Sequence, residues 1–153
     1  MLYDKLLMRA QNDGIVVYEY PLKGNLKGLY KDGIICIDKR LDTSTKKACI
    51  LSEEIGHHHT SCGNILDKRD LNSIKQEKLA RVWAYKEVIP IESFINAHVR
   101  GIRNRYEFAE HLEVTEEFLE ASINYYKEKY GLFIKMGAYT ICLEPLGVLE
   151  FFE

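Results

Sequence analysis

A glycine inside a predicted helix constrains this chain most. Asp42-Thr43-Ser44-Thr45 is rich in N-cap side chains, the apolar residues Ala48, Ile50 and Leu51 follow, and Gly63 is a natural stop. The pattern predicts a helix from this cap to about Thr60. Gly56 lies within it, where glycine costs about 1 kcal/mol against alanine. The usual reason to accept that cost is close approach of another backbone or of a substrate. Around the glycine runs Glu53-Glu54-Ile55-Gly56-His57. Residues four apart stack on one helix face, so Glu53 and His57 can grip a single metal ion. Glu54 is rotated by roughly 100° from that pair. A general base belongs there if it is to reach a metal-bound water without ligating the metal.

The segment is the zinc-peptidase pattern H-E-x-x-H with glutamate in place of the first histidine. An i, i+4 Glu/His pair alone is often a solvated surface contact worth a few tenths of a kcal/mol, so an amphipathic helix with a polar patch is the competing reading. Three histidines stand in a row, His57-His58-His59, and only one can share a face with Glu53. Glu77 lies 20 residues beyond His57, on a second predicted helix whose face continues through Ala80, Arg81, Ala84 and Val88. The small alanines allow close helix packing, and a carboxylate on such a face needs a partner. A metal would supply one; pairing with Lys78 or Arg81 on the surface is the alternative.

At 153 residues the chain fits one domain, or one domain with a small lobe. Net charge is −2, which points neither to nucleic acid nor to an anionic membrane as the main partner. No apolar run approaches the ~20 residues of a membrane span. The stretch Met1 to Gly14 carries Asp4, Lys5, Arg9 and Asp13 and lacks a signal peptide's apolar core, so a cytoplasmic protein is expected. None of the four cysteines forms a C-x-x-C pair. Cys36 and Cys142 sit in strand-like runs as small core residues, and Cys62 is a candidate neighbour of the metal.

Elsewhere the spacing predicts a helix over 2–11, a strand over 15–20, and two strands, 28–30 and 34–38, around a tight turn at Lys31-Asp32-Gly33. Ser73 and Gln76 are spaced as a capping box opening a helix that ends before Pro90. A helical region runs from about Ser93 to Tyr130, and a β-hairpin over 133–152 turns near Glu144-Pro145-Leu146-Gly147. Within the helical region, Phe108 to Thr115 and the helix after it resemble a helix-turn-helix, with Leu112 and Val114 at the turn and Phe118, Leu119 and Ile123 as core positions. Residues 91–131 hold five Lys/Arg against eight Glu, and Glu116, Glu117 and Glu120 would face phosphates, which argues against DNA binding. Arg100, Arg103 and Arg105 form a small basic cluster suited to docking a protein. His98 and His111 read as structural or surface residues.

Taken together, Gly28-Leu29-Tyr30, Gly33-Ile34-Ile35, Leu51 to His58, Glu77 to Ala84 leading to Ile89-Pro90, and Glu144 to Val148 resemble the ImmA/IrrE family of metallopeptidases over most of the chain. The resemblance implies that His57 is a metal ligand, Glu54 the general base and Glu77, from an E-x-x-A segment, the third ligand. Glu53 occupies the first-ligand position, where the family usually has histidine. The cofactor implied is one divalent ion, Zn²⁺ first, with Mn²⁺ or Fe²⁺ as alternatives. The implied reaction is metal-assisted amide hydrolysis, in which Glu54 takes the proton of a water and passes it to the leaving amine. Tyrosines and His58 or His59 are candidates for stabilising the oxyanion. The implied partner is a helix-turn-helix repressor of a phage or mobile element, cleaved at one site. A docking protein of the same fold that cuts nothing is the alternative.

Glu53 changes the electrostatics of such a site. Two histidines and one carboxylate leave a divalent ion a formal +1; Glu53, His57 and Glu77 leave it zero. That acidifies a bound water less and favours harder ions. A weaker or more selective peptidase is expected. The fold class expected is α+β: a small antiparallel sheet packed on a zincin-like helix pair carrying the metal, a helical lobe, and a C-terminal β-hairpin. The expected organisation is a core over 1–90, the lobe over 91–131, and the hairpin over 132–153 packing on the core.

Overall fold

The computed structural model describes residues 1–60 and 70–150. The chain is α+β and divides into two compact units, Met1–Glu87 and Val88–Glu153. The first holds α1 (Leu2–Asn12), β1 (Val16–Tyr20), β2 (Gly28–Lys31), β3 (Ile34–Asp38), α2 (Ser44–Thr60) and nearly all of α3 (Asp70–Val88). Lys31 pairs with Ile34 across the β2–β3 turn, leaving Asp32 and Gly33 with φ of 49° and 79°. Both central residues of a two-residue hairpin loop take positive φ when the turn matches the strand twist, which is why Asp-Gly stands there.

The three strands form a sheet in the order β1-β3-β2, and β1 runs parallel to β3. The antiparallel sheet expected from the sequence is therefore mixed. The physical reason is burial. β3 carries Ile35 and Ile37, both fully buried, and takes the centre, so β1 pairs with it rather than with β2, the next strand along the chain. The buried face of the sheet meets α2 through Ala48, Leu51 and Ile55, and α1 packs on α2 through Leu6 and Ala10. Thr43 caps α2, its hydroxyl accepting from the Lys46 amide at 3.1 Å. Ser73 lies inside α3, which begins by Asp70, so the expected capping box is not one: a cap residue must stand outside the helix. Gly63 and Cys62 lie outside the described residues.

The second unit holds α4 (Glu92–Val99), α5 (Arg105–Leu112), α6 (Glu116–Tyr130), β4 (Phe133–Met136), β5 (Tyr139–Leu143) and β6 (Leu146–Glu150). Asn104 and Thr115 cap α5 and α6, accepting from the amides of Glu107 and Phe118. Glu113 ends α5 in the left-handed region at φ 61°. Phe94 meets the rings of Phe108 and Tyr126 edge-on, and the Tyr126 hydroxyl donates to the Ile89 carbonyl at 2.7 Å. The three terminal strands form an antiparallel sheet in chain order, not the expected hairpin. Gly137, at φ 62°, supplies a second two-residue turn between Met136 and Tyr139. Among the described residues, no helix is long and apolar enough to cross a membrane. Cys36 and Cys142 are half-buried rather than core residues, whereas Cys49 is buried.

Candidate functional site

Helix α2 presents two polar faces. Glu53, Gly56 and His57 lie toward α3. A Cβ on Gly56 would drive into the backbone carbonyl of Ala80, so the two helices touch backbone to backbone there. Ala80 and Ala84 are fully buried, as their small size predicts. This contact brings His57 Nε2 to 3.2 Å from Glu77 Oε1. Glu77 itself is half exposed, so burial is not what makes it need a partner. Glu53 is half-buried, and burial raises its carboxyl pKa; Arg81 opposes that shift, Glu77 adds to it and Lys27 opposes it.

Glu54 and His58 share the other face, toward β2. Glu54 is only 9% exposed, and burial first, then the charges of Glu77 and Glu53, push its pKa up to about 8. Gly28 on β2 permits this: a Cβ there would stand 2.6 Å from Ile50 Cγ2 and 3.0 Å from Glu54 Cγ. Further along β2, the Tyr30 hydroxyl meets His58 Nδ1 at 2.8 Å. His59 faces elsewhere. Its Nε2 meets Asp13 Oδ2 at 2.7 Å and its ring stacks on Trp83 at 4.8 Å. Arg9 also binds Asp13, pairs with Glu87 and lies over the Trp83 ring. Each histidine of the run thus bonds a different element: α3, β2 and the end of α1. The sequence places Gly28 and Tyr30 on a strand but not beside Glu54 and His58, since nothing local marks a strand residue as the neighbour of a helix far along the chain.

His57 and Glu77 meet, but Glu53 does not join them: among the described residues, no group of three or more His, Cys, Asp or Glu side chains is gathered to hold a metal ion. The donor chemistry nevertheless fits a divalent cation. Burial first, and then the Glu77 charge, hold the Glu53 and Glu54 carboxyls above their ordinary range, and the His57 imidazole stands against Glu77. His58 and His59 have other partners, and in the second unit His98 bonds Glu150 while His111 is exposed.

The peptidase M78 family model, described as an IrrE N-terminal-like domain, matches residues 10–124, and the chain belongs to that family. This bears out the ImmA/IrrE resemblance. No curated protein and no solved structure matches the chain.

Proposed function

We propose that this chain is a metal-dependent endopeptidase of the cytoplasm that cuts a helix-turn-helix repressor of a phage or mobile element. The observation that carries the catalytic part is Glu54, nearly buried, held at a pKa of about 8 and adjacent to Glu53 on the helix that also carries the His57–Glu77 contact. A divalent ion held by Glu53, His57 and Glu77, with Zn²⁺ first and Mn²⁺ or Fe²⁺ as alternatives, would supply a Lewis acid and an acidified water. Glu54 takes a proton from water at its carboxylate and delivers it to the leaving amine nitrogen. Neutralising the charges of Glu53 and Glu77 removes two of the three causes that hold Glu54 near 8, bringing it toward the ionised form a base needs. The substrate class follows from the family resemblance, and the net negative charge of the helical lobe fits a protein partner better than DNA.

Elemental mass spectrometry of the purified protein tests the site. One equivalent of metal in the wild type, lost in Glu53→Ala, His57→Ala and Glu77→Ala, supports it, and a Glu53→His protein with unchanged metal affinity and cleavage rate would show that Glu53 is not a ligand. A second reading is a docking protein of the same fold that cuts nothing. The failure of Glu53 to gather with His57 and Glu77 favours it. No stoichiometric metal after reloading with Zn²⁺, Mn²⁺ or Fe²⁺ would select that reading.

A further inference from the structure

The Tyr30 oxygen already receives the Gly33 amide at 3.2 Å, while it lies 2.8 Å from His58 Nδ1. The phenol has one hydrogen of its own to place. If His58 Nδ1 carried a proton and donated, that phenolic hydrogen would have no acceptor among the described residues. If Nδ1 accepts, all three groups are satisfied, and the imidazole proton must sit on Nε2. His58 Nε2 has no hydrogen-bond partner among the described residues, and the ring is half-buried at the end of α2. It stands four residues after Glu54 on the same helix face, about 6 Å away between Cβ atoms.

We infer that Tyr30 locks His58 in the Nε2–H tautomer, and that this N–H binds the oxygen of the scissile carbonyl as negative charge develops on it. The inference rests on the peptidase reading above. His58 is then a catalytic residue and Tyr30 a positioning residue acting through it. A preoriented donor costs no reorganisation when the charge appears, which is why such donors carry large effects. Two of the other candidates are already engaged: His59 by Asp13 and Trp83, and Tyr30 by Gly33 and His58.

Two measurements test this on the full chain. Imidazole ¹⁵N spectra at a pH of about 8, above the ordinary histidine pKa of about 6.5, read the tautomer directly. His58 is expected as Nε2–H in the wild type and as a mixture of tautomers in Tyr30→Phe. An Nδ1–H tautomer in the wild type, or one unmoved by Tyr30→Phe, overturns the inference. Cleavage of a quenched fluorescent peptide pool by the Zn²⁺-loaded protein gives the second measurement. His58→Ala is expected to lower kcat about 10²-fold at nearly constant KM. Tyr30→Phe is expected to lower it about tenfold with metal content unchanged. A His58→Ala protein that cuts as well as wild type overturns this inference and leaves the peptidase reading standing. A wild type that cuts nothing when loaded in turn with Zn²⁺, Mn²⁺ and Fe²⁺ overturns both.

Discussion

The α2–α3 pair and the α5–α6 pair are both helix–helix contacts, but they are built on opposite terms. The α5–α6 corner obeys each local rule: Asn104 and Thr115 cap, Glu113 turns the chain, and Phe108, Val114, Phe118, Leu119 and Ile123 fill the interior. The α2–α3 seam breaks several. It puts glycine in mid-helix, keeps Glu54 nearly buried, and sets Glu53 and Glu77 near enough to repel. Local sequence preference and tertiary demand agree in the second unit and conflict in the first. Such conflict concentrates where a protein does chemistry, because carboxylates useful to a cation or a proton are costly to bury.

The contrast can be broken at the seam itself. Gly56→Val should destabilise the first unit by about 3 kcal/mol, since a side chain there meets a backbone carbonyl that cannot swing away. Chemical denaturation of the full chain would show it, and a loss under 1 kcal/mol would mean that the helices do not touch at Ala80.

Acid and base should then separate the units. The Glu54 pKa is raised in the fold, so stability present below its ordinary value near 4.5 is lost as pH rises through about 8. Glu144 in the second unit behaves oppositely. The Lys127 hydrogen bond lowers its pKa, so the stability it contributes is present above about 4.5 and is lost as pH falls through its lowered value. Denaturation of the metal-free protein between about pH 5 and 8 should therefore show falling stability, and Glu54→Gln should flatten the slope. An unchanged slope would remove the electrostatic argument for the site.

Smaller effects sharpen the comparison from the other side. Thr115→Ala should cost about 1 kcal/mol through the lost cap at the Phe118 amide, read from the denaturation midpoint. Gly147→Ala should change stability by less than about 0.5 kcal/mol, because a Cβ there meets open space. A large loss at Gly147 would show that glycines in the two units are held by the same kind of constraint.

Much of this molecule was legible locally. The bounds of α2, the Asp32-Gly33 turn, the buried positions Phe118, Leu119 and Ile123, and the meaning of Gly56 and Ala80 all follow from short-range spacing, because helix period and turn chemistry are encoded within a few residues. The family, too, was readable from residues quoted in order. Strand partnership was not. Whether β1 joins β2 or β3 depends on which strand takes the most buried place, a property of the assembled sheet. The extra strand at Gly137 was missed because its turn carries no asparagine or aspartate to mark it.

By itself the sequence determined the donor inventory, the helices that carry it and the family. Only the tertiary structure decided how those donors are divided. It set His57 against Glu77 on α3, His58 against Tyr30 on β2, and His59 against Asp13 at the end of α1. Three adjacent residues on a helix point about 100° apart, so their partners must come from three separate elements, and only packing chooses which.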